Sequence, residues 1–217
     1  MQFIKHPFGP ELYKTSISSE FYKKLLETNK NEIKLNGKIK STSIESYQYS
    51  YEDIQLYKEE IFYYIDGYIK EVQKIRNLKP YNFKYNLDEL WINYQKTKDN
   101  IQPHFHAYDI SFVIYLNIPD EIKKEKSPFR GTPNGSITFS YGQNIKKFNK
   151  NELEFFEILN SYTAPITQYT ELPSMGDMFI FPSYLMHYVS PFLSENVERI
   201  SISGNISLIN NNQKNII

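Results

Sequence analysis

The sequence predicts a mostly β fold with its helices gathered at the N-terminal end, a jelly roll of two antiparallel sheets braced by one long amphipathic helix. Three observations carry this expectation. From Glu45 to Leu78 the apolar positions Ile54, Tyr57, Ile61, Ile65, Tyr68, Val72 and Ile75 recur at steps of three and four, with Glu and Lys between them. After Pro80 the period falls to two, with Leu90, Ile92 and Tyr94 alternating against Trp91, Asn93 and Gln95. The remaining apolar runs are short, about seven or eight in number, and separated by turn residues.

Taken in order, Met1 to Tyr13 holds Pro7, Gly9 and Pro10 and reads as a turn-rich lead-in or a first edge strand, with His6 in a structural role. Ser18 and Ser19 offer an N-cap for a short helix that fades at Asn29. A loop around Gly37 precedes the long helix, whose aromatic stripe is expected to face the core. Strand Leu90 to Gln95 leads into a loop over Lys96 to Pro103, and Ile110 to Ile118 is a strand ended by Pro119. A charged excursion, a turn at Gly131 to Gly135 and a strand over Ser136 to Tyr141 follow. Gly142 to Asn160 is polar and lysine-rich, expected as a surface loop with a short helical piece. Strands at Pro165 to Tyr169, Asp177 to Phe181 and Arg199 to Leu208 complete the set. The expected organisation is one domain over 1–217, with a helical brace and lead-in strand in 1–80, the jelly-roll core in 81–209 and a frayed tail in 210–217.

Composition limits the function. Lys+Arg and Asp+Glu both number 25, so no global field favours nucleic acid or an anionic membrane surface. The lack of cysteine excludes disulfides, zinc-thiolate sites and a thiol nucleophile, and leaves only N and O ligands for any metal. The first ten residues lack the features of a signal peptide, and no apolar run approaches the roughly 18 residues of a membrane span. A soluble, cytoplasmic protein is the expectation.

Imidazole is scarce and concentrated. Of four histidines, His104 and His106 sit one residue apart beside a strand, and His187 lies in a second segment, Gly176 to His187. Two histidines at that spacing in extended backbone project to one side and can hold one metal ion. Loops carried by a rigid sheet are where such residues tend to sit. In the last strand Arg199, Ser201, Ser203 and Asn205 share one face and Ile200, Ile202, Ile206 and Leu208 the other. The polar set either meets solvent or points into the barrel, where Arg199 would be a buried cation in need of an anion. Asp109, Ser111, Val113 and Tyr115 likewise share a face, so Tyr115 could join the metal pocket.

These pieces, in this order, resemble the 2-oxoglutarate and iron(II)-dependent oxygenases, in particular the small ones of bacteria and their phages. The matching segments are His104-Phe105-His106, Tyr115-Leu116-Asn117, Gly176 to Pro182, His187 and Arg199-Ile200-Ser201. The resemblance covers the chain from Trp91 on and implies a double-stranded β-helix, cupin-like core. It implies that His104 and His187 ligate Fe(II), that Arg199 binds the distal carboxylate of 2-oxoglutarate, and that Ser201 and Tyr115 assist. The third ligand is open between His106, by motif position, and Asp109, by its carboxylate. The implied reaction is hydroxylation of an unknown small-molecule or peptidyl substrate by dioxygen, with decarboxylation of 2-oxoglutarate to succinate. Trp91, Tyr94, Phe105 and Tyr108 are candidates for shaping the substrate pocket. Two alternatives stand beside this: a cupin-like metalloenzyme without 2-oxoglutarate, which would not need Arg199, and a non-catalytic jelly-roll binding or phage structural module. A phage-encoded protein would act in the host cytoplasm, and the long helix could brace either the barrel or a homodimer.

Overall fold

The computed structural model describes residues 2–4, 9–30, 44–81, 83–126, 133–142 and 168–209. His6, the Gly37 loop, the Gly131 turn up to Thr132, the polar stretch from 143 to 160, the beginning of the strand expected at Pro165 and the tail from 210 lie outside the described residues.

Eleven strands form among the described residues, and all of them pair in two antiparallel sheets, with the first, β1 (Gln2–Ile4), on the outer edge of the larger one. The larger sheet has seven strands. It contains β1, β2 (Leu12–Ser16), β9 (Asp177–Pro182), β6 (Ile110–Asn117), β11 (Arg199–Ile209), β4 (Lys84–Gln95) and β3 (Glu45–Gln48), in that spatial order. The smaller has β5 (Ile101–His104), β10 (Met186–Val189), β7 (Ile137–Ser140) and β8 (Gln168–Glu171). From β4 onward the chain passes back and forth between the two sheets, which is the jelly-roll arrangement. The expected fold class is therefore the observed one.

Helix α1 (Ser19–Lys30) and helix α2 (Tyr51–Ile75) cover the outer face of the large sheet. Helix α2 begins later than the periodicity suggests. Ser50 accepts the Asp53 N–H at 3.1 Å and Asp53 accepts the Ser50 N–H at 3.3 Å, a reciprocal cap that starts the helix at Tyr51. Glu45 to Gln48, expected as helix, pair instead with Trp91 to Tyr94 as an edge strand. The buried stripe of α2 is Ile54, Tyr57, Ile61, Tyr64, Ile65, Tyr68 and Ile69. It packs on Leu90, Ile92, Ile202 and Ile206, the apolar faces of β4 and β11. A short helix α3 (Asp120–Lys123) lies in the charged excursion.

A second, smaller core lies between the sheets, built from Val113, Tyr115, Phe139, Phe179, Phe181 and Val189 among others. The large sheet thus has two dissimilar faces. Its helix-covered face is almost wholly apolar, and its inner face is free to carry polar groups. Three departures bear on the site. Strand β4 starts at Lys84, well before Leu90, and β5 and β10 occupy segments with no expected strand, which places His104 and His187 in paired backbone.

Candidate metal and cosubstrate site

His104 and His187 face each other across the β5–β10 pair as directly opposed residues. His106 follows two residues after His104, and its backbone N–H donates to the Ser183 carbonyl at 2.9 Å, while the Ser183 N–H donates to the Asp109 carbonyl at 3.1 Å. Those two bonds pin the H-x-H segment to the β9–β10 turn. The three imidazoles converge, with candidate ligand nitrogens all within 4.8 Å of one another. Ring centroids are 4.2 Å apart for His104 and His187, 5.0 Å for His104 and His106, and 5.2 Å for His106 and His187.

The tautomers follow from the backbone. His104 Nδ1 lies 2.8 Å from the Gln102 carbonyl and His187 Nδ1 lies 2.9 Å from the Leu185 carbonyl. A carbonyl only accepts, so Nδ1 carries the proton in each ring and Nε2 presents its lone pair. Burial, then the charge of His104, pushes the His106 pKa down to about 4, and burial foremost pushes His187 down to about 3. Both rings are therefore neutral at pH 7, the form that binds a divalent metal.

Asp109 is not in this cluster. Its carboxylate accepts the backbone N–H of Leu208 at 2.7 Å on the neighbouring strand β11. Of the two candidates for a third ligand, the fold brings His106 to the other histidines and turns Asp109 toward the sheet backbone.

Along the inner face of the large sheet, Asn93, Ser201 and Tyr115 stand opposite one another on β4, β11 and β6, and Arg199 stands opposite Gln95. Arg199 is 3% exposed, so its guanidinium is a buried cation. One nitrogen, Nη1, donates to Gln95 Oε1 at 2.6 Å, and the guanidinium carbon sits 4.8 Å from the centre of the Tyr115 ring. Burial lowers its pKa, the sign of a charge held away from water. No carboxylate pairs with it among the described residues, and its Nε and the Tyr115 hydroxyl are both buried without a partner. Burial also pushes the Tyr115 phenol up to about 12, so it is a protonated donor.

These groups line one cavity of about 470 Å³ together with Trp91, Ser111, Val113, Phe181, Ser201 and Ser203. The polar face of β11 thus points into the barrel, not to solvent. Of the aromatic residues considered for the pocket, Trp91 lines it, its ring 5.7 Å from His106. Tyr94 instead faces the helix side beside Tyr47, and Phe105 is 62% exposed. Gln95 and Asn205 were not expected to matter. Gln95 is fixed by donating to the Asp99 and Ser190 carbonyls at 2.7 and 3.2 Å, and Asn205 accepts from Ser111 at 2.7 Å. The alternation of β4 and β11 carried that signal, since both share a face with Arg199.

The donor set fits a divalent metal and a dicarboxylate. Three imidazoles offer ring nitrogens, and a buried guanidinium and phenol offer unused N–H and O–H groups. Fold and site together define a jelly-roll protein with a candidate non-haem metal site. Residues 89–205, more than half of the chain, match the family model described as "Putative 2OG-Fe(II) oxygenase". The chain belongs to that family, whose cofactor pair is iron(II) and 2-oxoglutarate, and His104, His106 and His187 form its candidate iron site.

Two solved structures, HygX and SnoN, agree on the fold. HygX from Streptomyces hygroscopicus, with nickel, 2-oxoglutarate and hygromycin B bound, superposes with a TM-score of 0.53 at 12% identity, over 92% of this chain and 82% of HygX. SnoN, a non-heme alpha ketoglutarate dependent epimerase from nogalamycin biosynthesis, gives 0.51 at 14% identity over 90% and 78%. A 2OG-Fe(II) oxygenase family oxidoreductase from Burkholderia pseudomallei is 17% identical with a TM-score of 0.37, and the match spans 57% of this chain and only 44% of that one. No curated protein sequence matches this chain. Among the described residues no helix is long and apolar enough to cross a membrane.

Proposed function

We propose that this chain is an iron(II) and 2-oxoglutarate-dependent dioxygenase that hydroxylates its substrate, working as a single domain in the cytoplasm. The observation that carries the reading is Arg199, a buried guanidinium without an acid partner among the described residues, opening on a cavity that three histidines also line. A cupin-like enzyme that did not use 2-oxoglutarate would have no need of such a cation.

His104, His106 and His187 hold the metal, giving an all-imidazole set in place of two histidines and an acid. When bound, iron(II) with 2-oxoglutarate and dioxygen supplies oxidation of an unactivated C–H bond, with release of carbon dioxide and succinate. The chain's own residues bind, orient and dry the site. Arg199 grips the distal carboxylate of 2-oxoglutarate, Gln95 fixes the guanidinium, and the hydroxyls of Tyr115 and Ser201 donate to the same group. Phe139, Phe179 and Phe181 pack behind His187 and keep water from that side.

The test is an anaerobic calorimetric titration of iron(II)-loaded protein with 2-oxoglutarate, followed by admission of air and measurement of succinate. Saturable binding and succinate equal to the 2-oxoglutarate consumed are expected. Metal binding without 2-oxoglutarate binding would overturn the reading in favour of a cosubstrate-independent metalloprotein.

A further inference from the structure

Four polar rows run across the inner face of the large sheet, and their order sorts the cavity into two halves. Arg199 lies opposite Gln95; next come Asn93, Ser201 and Tyr115; then Trp91, Ser203 and Val113; and last Glu89, Asn205 and Ser111. Successive rows are two residues, about 6.8 Å, apart, so Glu89 stands roughly 20 Å along the strand from Arg199. The histidines sit beside the last two rows. Trp91 is 5.7 Å from His106, and Ser111 shares a 2.8 Å hydrogen bond with Ser183, whose carbonyl holds the His106 backbone. A dicarboxylate between Arg199 and the imidazoles occupies the first half and leaves the half lined by Trp91 and Glu89.

Among the described residues, Glu89 is the one acidic residue that lines this cavity. A β-bulge puts it there: Asn205 pairs with Glu89 but the next residue, Ile206, pairs with Leu87, so Asp88 is the extra residue. Leu87 thereby joins the helix-covered core while Glu89 joins Trp91, Asn93 and Gln95 on the cavity face. Without the bulge, period two would put Leu87 and Glu89 on the same face. The carboxylate is held in place by Asn205 Nδ2, which donates to it at 2.7 Å, and by the Tyr108 hydroxyl. Asn205 is in turn fixed by Ser111. No lysine or arginine pairs with Glu89 among the described residues.

We propose that Glu89, with the face of Trp91, is the substrate-recognition site and selects a substrate carrying a cationic amine or guanidinium group. The inference rests on the oxygenase reading and adds the substrate class to it. A preorganised carboxylate next to an indole face favours a cation through a charge-assisted hydrogen bond and a cation–π contact, and it repels a second carboxylate. The cavity therefore carries opposite charges at its two ends, which keeps cosubstrate and substrate from exchanging places.

Trp91 is the only tryptophan in the chain, so its emission reports on this half of the cavity directly. Protein loaded with zinc(II) and 2-oxoglutarate, which cannot turn over, is titrated with hexylamine, hexanol and hexanoate, and with a short peptide containing one lysine. Hexylamine is expected to bind at least about tenfold more tightly than either isostere. Tighter binding of the peptide than of hexylamine would identify a basic side chain as the source of the cation, and the reverse order a free small molecule. Glu89→Gln, which keeps the bond from Asn205, is expected to erase the preference, and Glu89→Lys to transfer it to hexanoate. Equal affinities for the three probes in the native protein, or an unchanged preference in Glu89→Gln, would overturn the proposal. Calorimetric binding of 2-oxoglutarate in the same samples separates that failure from a failure of the oxygenase reading.

Discussion

Replacing Arg199 with methionine should make the protein more stable when 2-oxoglutarate is absent and less stable when it is present. The guanidinium is 3% exposed and meets no carboxylate among the described residues, so the fold bears an uncompensated buried charge. Exchanging a buried ionic group for a well-packed apolar one of similar volume is often stabilising by about 1–4 kcal/mol. Against this stands Gln95 Oε1, which loses its 2.6 Å donor at a cost of about 1–2 kcal/mol. Methionine retains contact with the Tyr115 ring, so the net gain is about 1 kcal/mol, or roughly 2–4 °C in a chain of this size. The cosubstrate reverses the order. At a concentration 100 times its Kd, 2-oxoglutarate stabilises the native protein by about 2.7 kcal/mol. Truncating one partner of a buried charge pair costs at least about 2 kcal/mol of affinity, some 30-fold, which leaves the variant a gain of about 0.9 kcal/mol at the same concentration. Urea unfolding of zinc(II)-loaded protein, followed by circular dichroism with and without 2-oxoglutarate, should show the two curves change places. A variant that is less stable without 2-oxoglutarate, and shifted by it as much as the native protein, would refute the argument.

Replacing His187 with alanine should weaken cobalt(II) or zinc(II) binding by more than about 100-fold in a competition titration with a chelator. Asp109→Ala should leave that affinity within about threefold while costing about 1 kcal/mol in urea unfolding, because its carboxylate caps the Leu208 N–H. Gly204→Ala should destabilise by about 2–3 kcal/mol and lower the melting temperature by roughly 5–10 °C, since a Cβ there would meet the Phe112 ring at 2.5 Å and the Glu89 carbonyl at 2.8 Å. Ser50→Ala removes the hydroxyl of the α2 cap and should cost about 1 kcal/mol, read in the same thermal melts.

What could be read in the sequence was whatever depended on local period and on rare residue types. The alternation of β11 assigns Arg199 and Ser201 to one face and Ile202 and Ile206 to the other, and the structure keeps that division without exception up to the bulge on β4. Whether the polar face met solvent or a cavity was not readable, because it depends on the small sheet closing over it. Strands β5 and β10 escaped notice for the same reason. Ile101–His104 includes Pro103, and both strands are four residues long, so what makes them strands is mutual pairing and not their own composition. Glu45 to Gln48 followed the helical rhythm only at its edge, and the Ser50 cap ended that ambiguity in favour of an edge strand. The Asp88 bulge left no trace in the sequence: one residue out of step is invisible until the partner strand fixes the register.

The separation of the two faces of the large sheet explains how the chain can carry a polar interior and still fold. The apolar cluster under α1 and α2 draws on strands β4, β6, β9 and β11 through their outward residues alone. The inward residues of the same strands hold Arg199, Asn93, Asn205 and Glu89, groups that would be costly in a core that had to supply the stability itself. Each of these polar groups except the guanidinium is satisfied by a neighbour in its own row or the next, Asn93 by Ser46 and Ser203, Asn205 by Ser111 and Glu89. Arg199 is the exception, and on the proposed function its partner arrives with the cosubstrate. Substitutions on the two faces of β11 should therefore act independently: Gly204→Ala should lower stability with no change in 2-oxoglutarate affinity, and Arg199→Met should weaken 2-oxoglutarate binding while raising the stability of the free protein. If the double variant departed from additivity by more than about 0.5 kcal/mol in urea unfolding, the two faces would be coupled through the strand, and this division of labour would not hold.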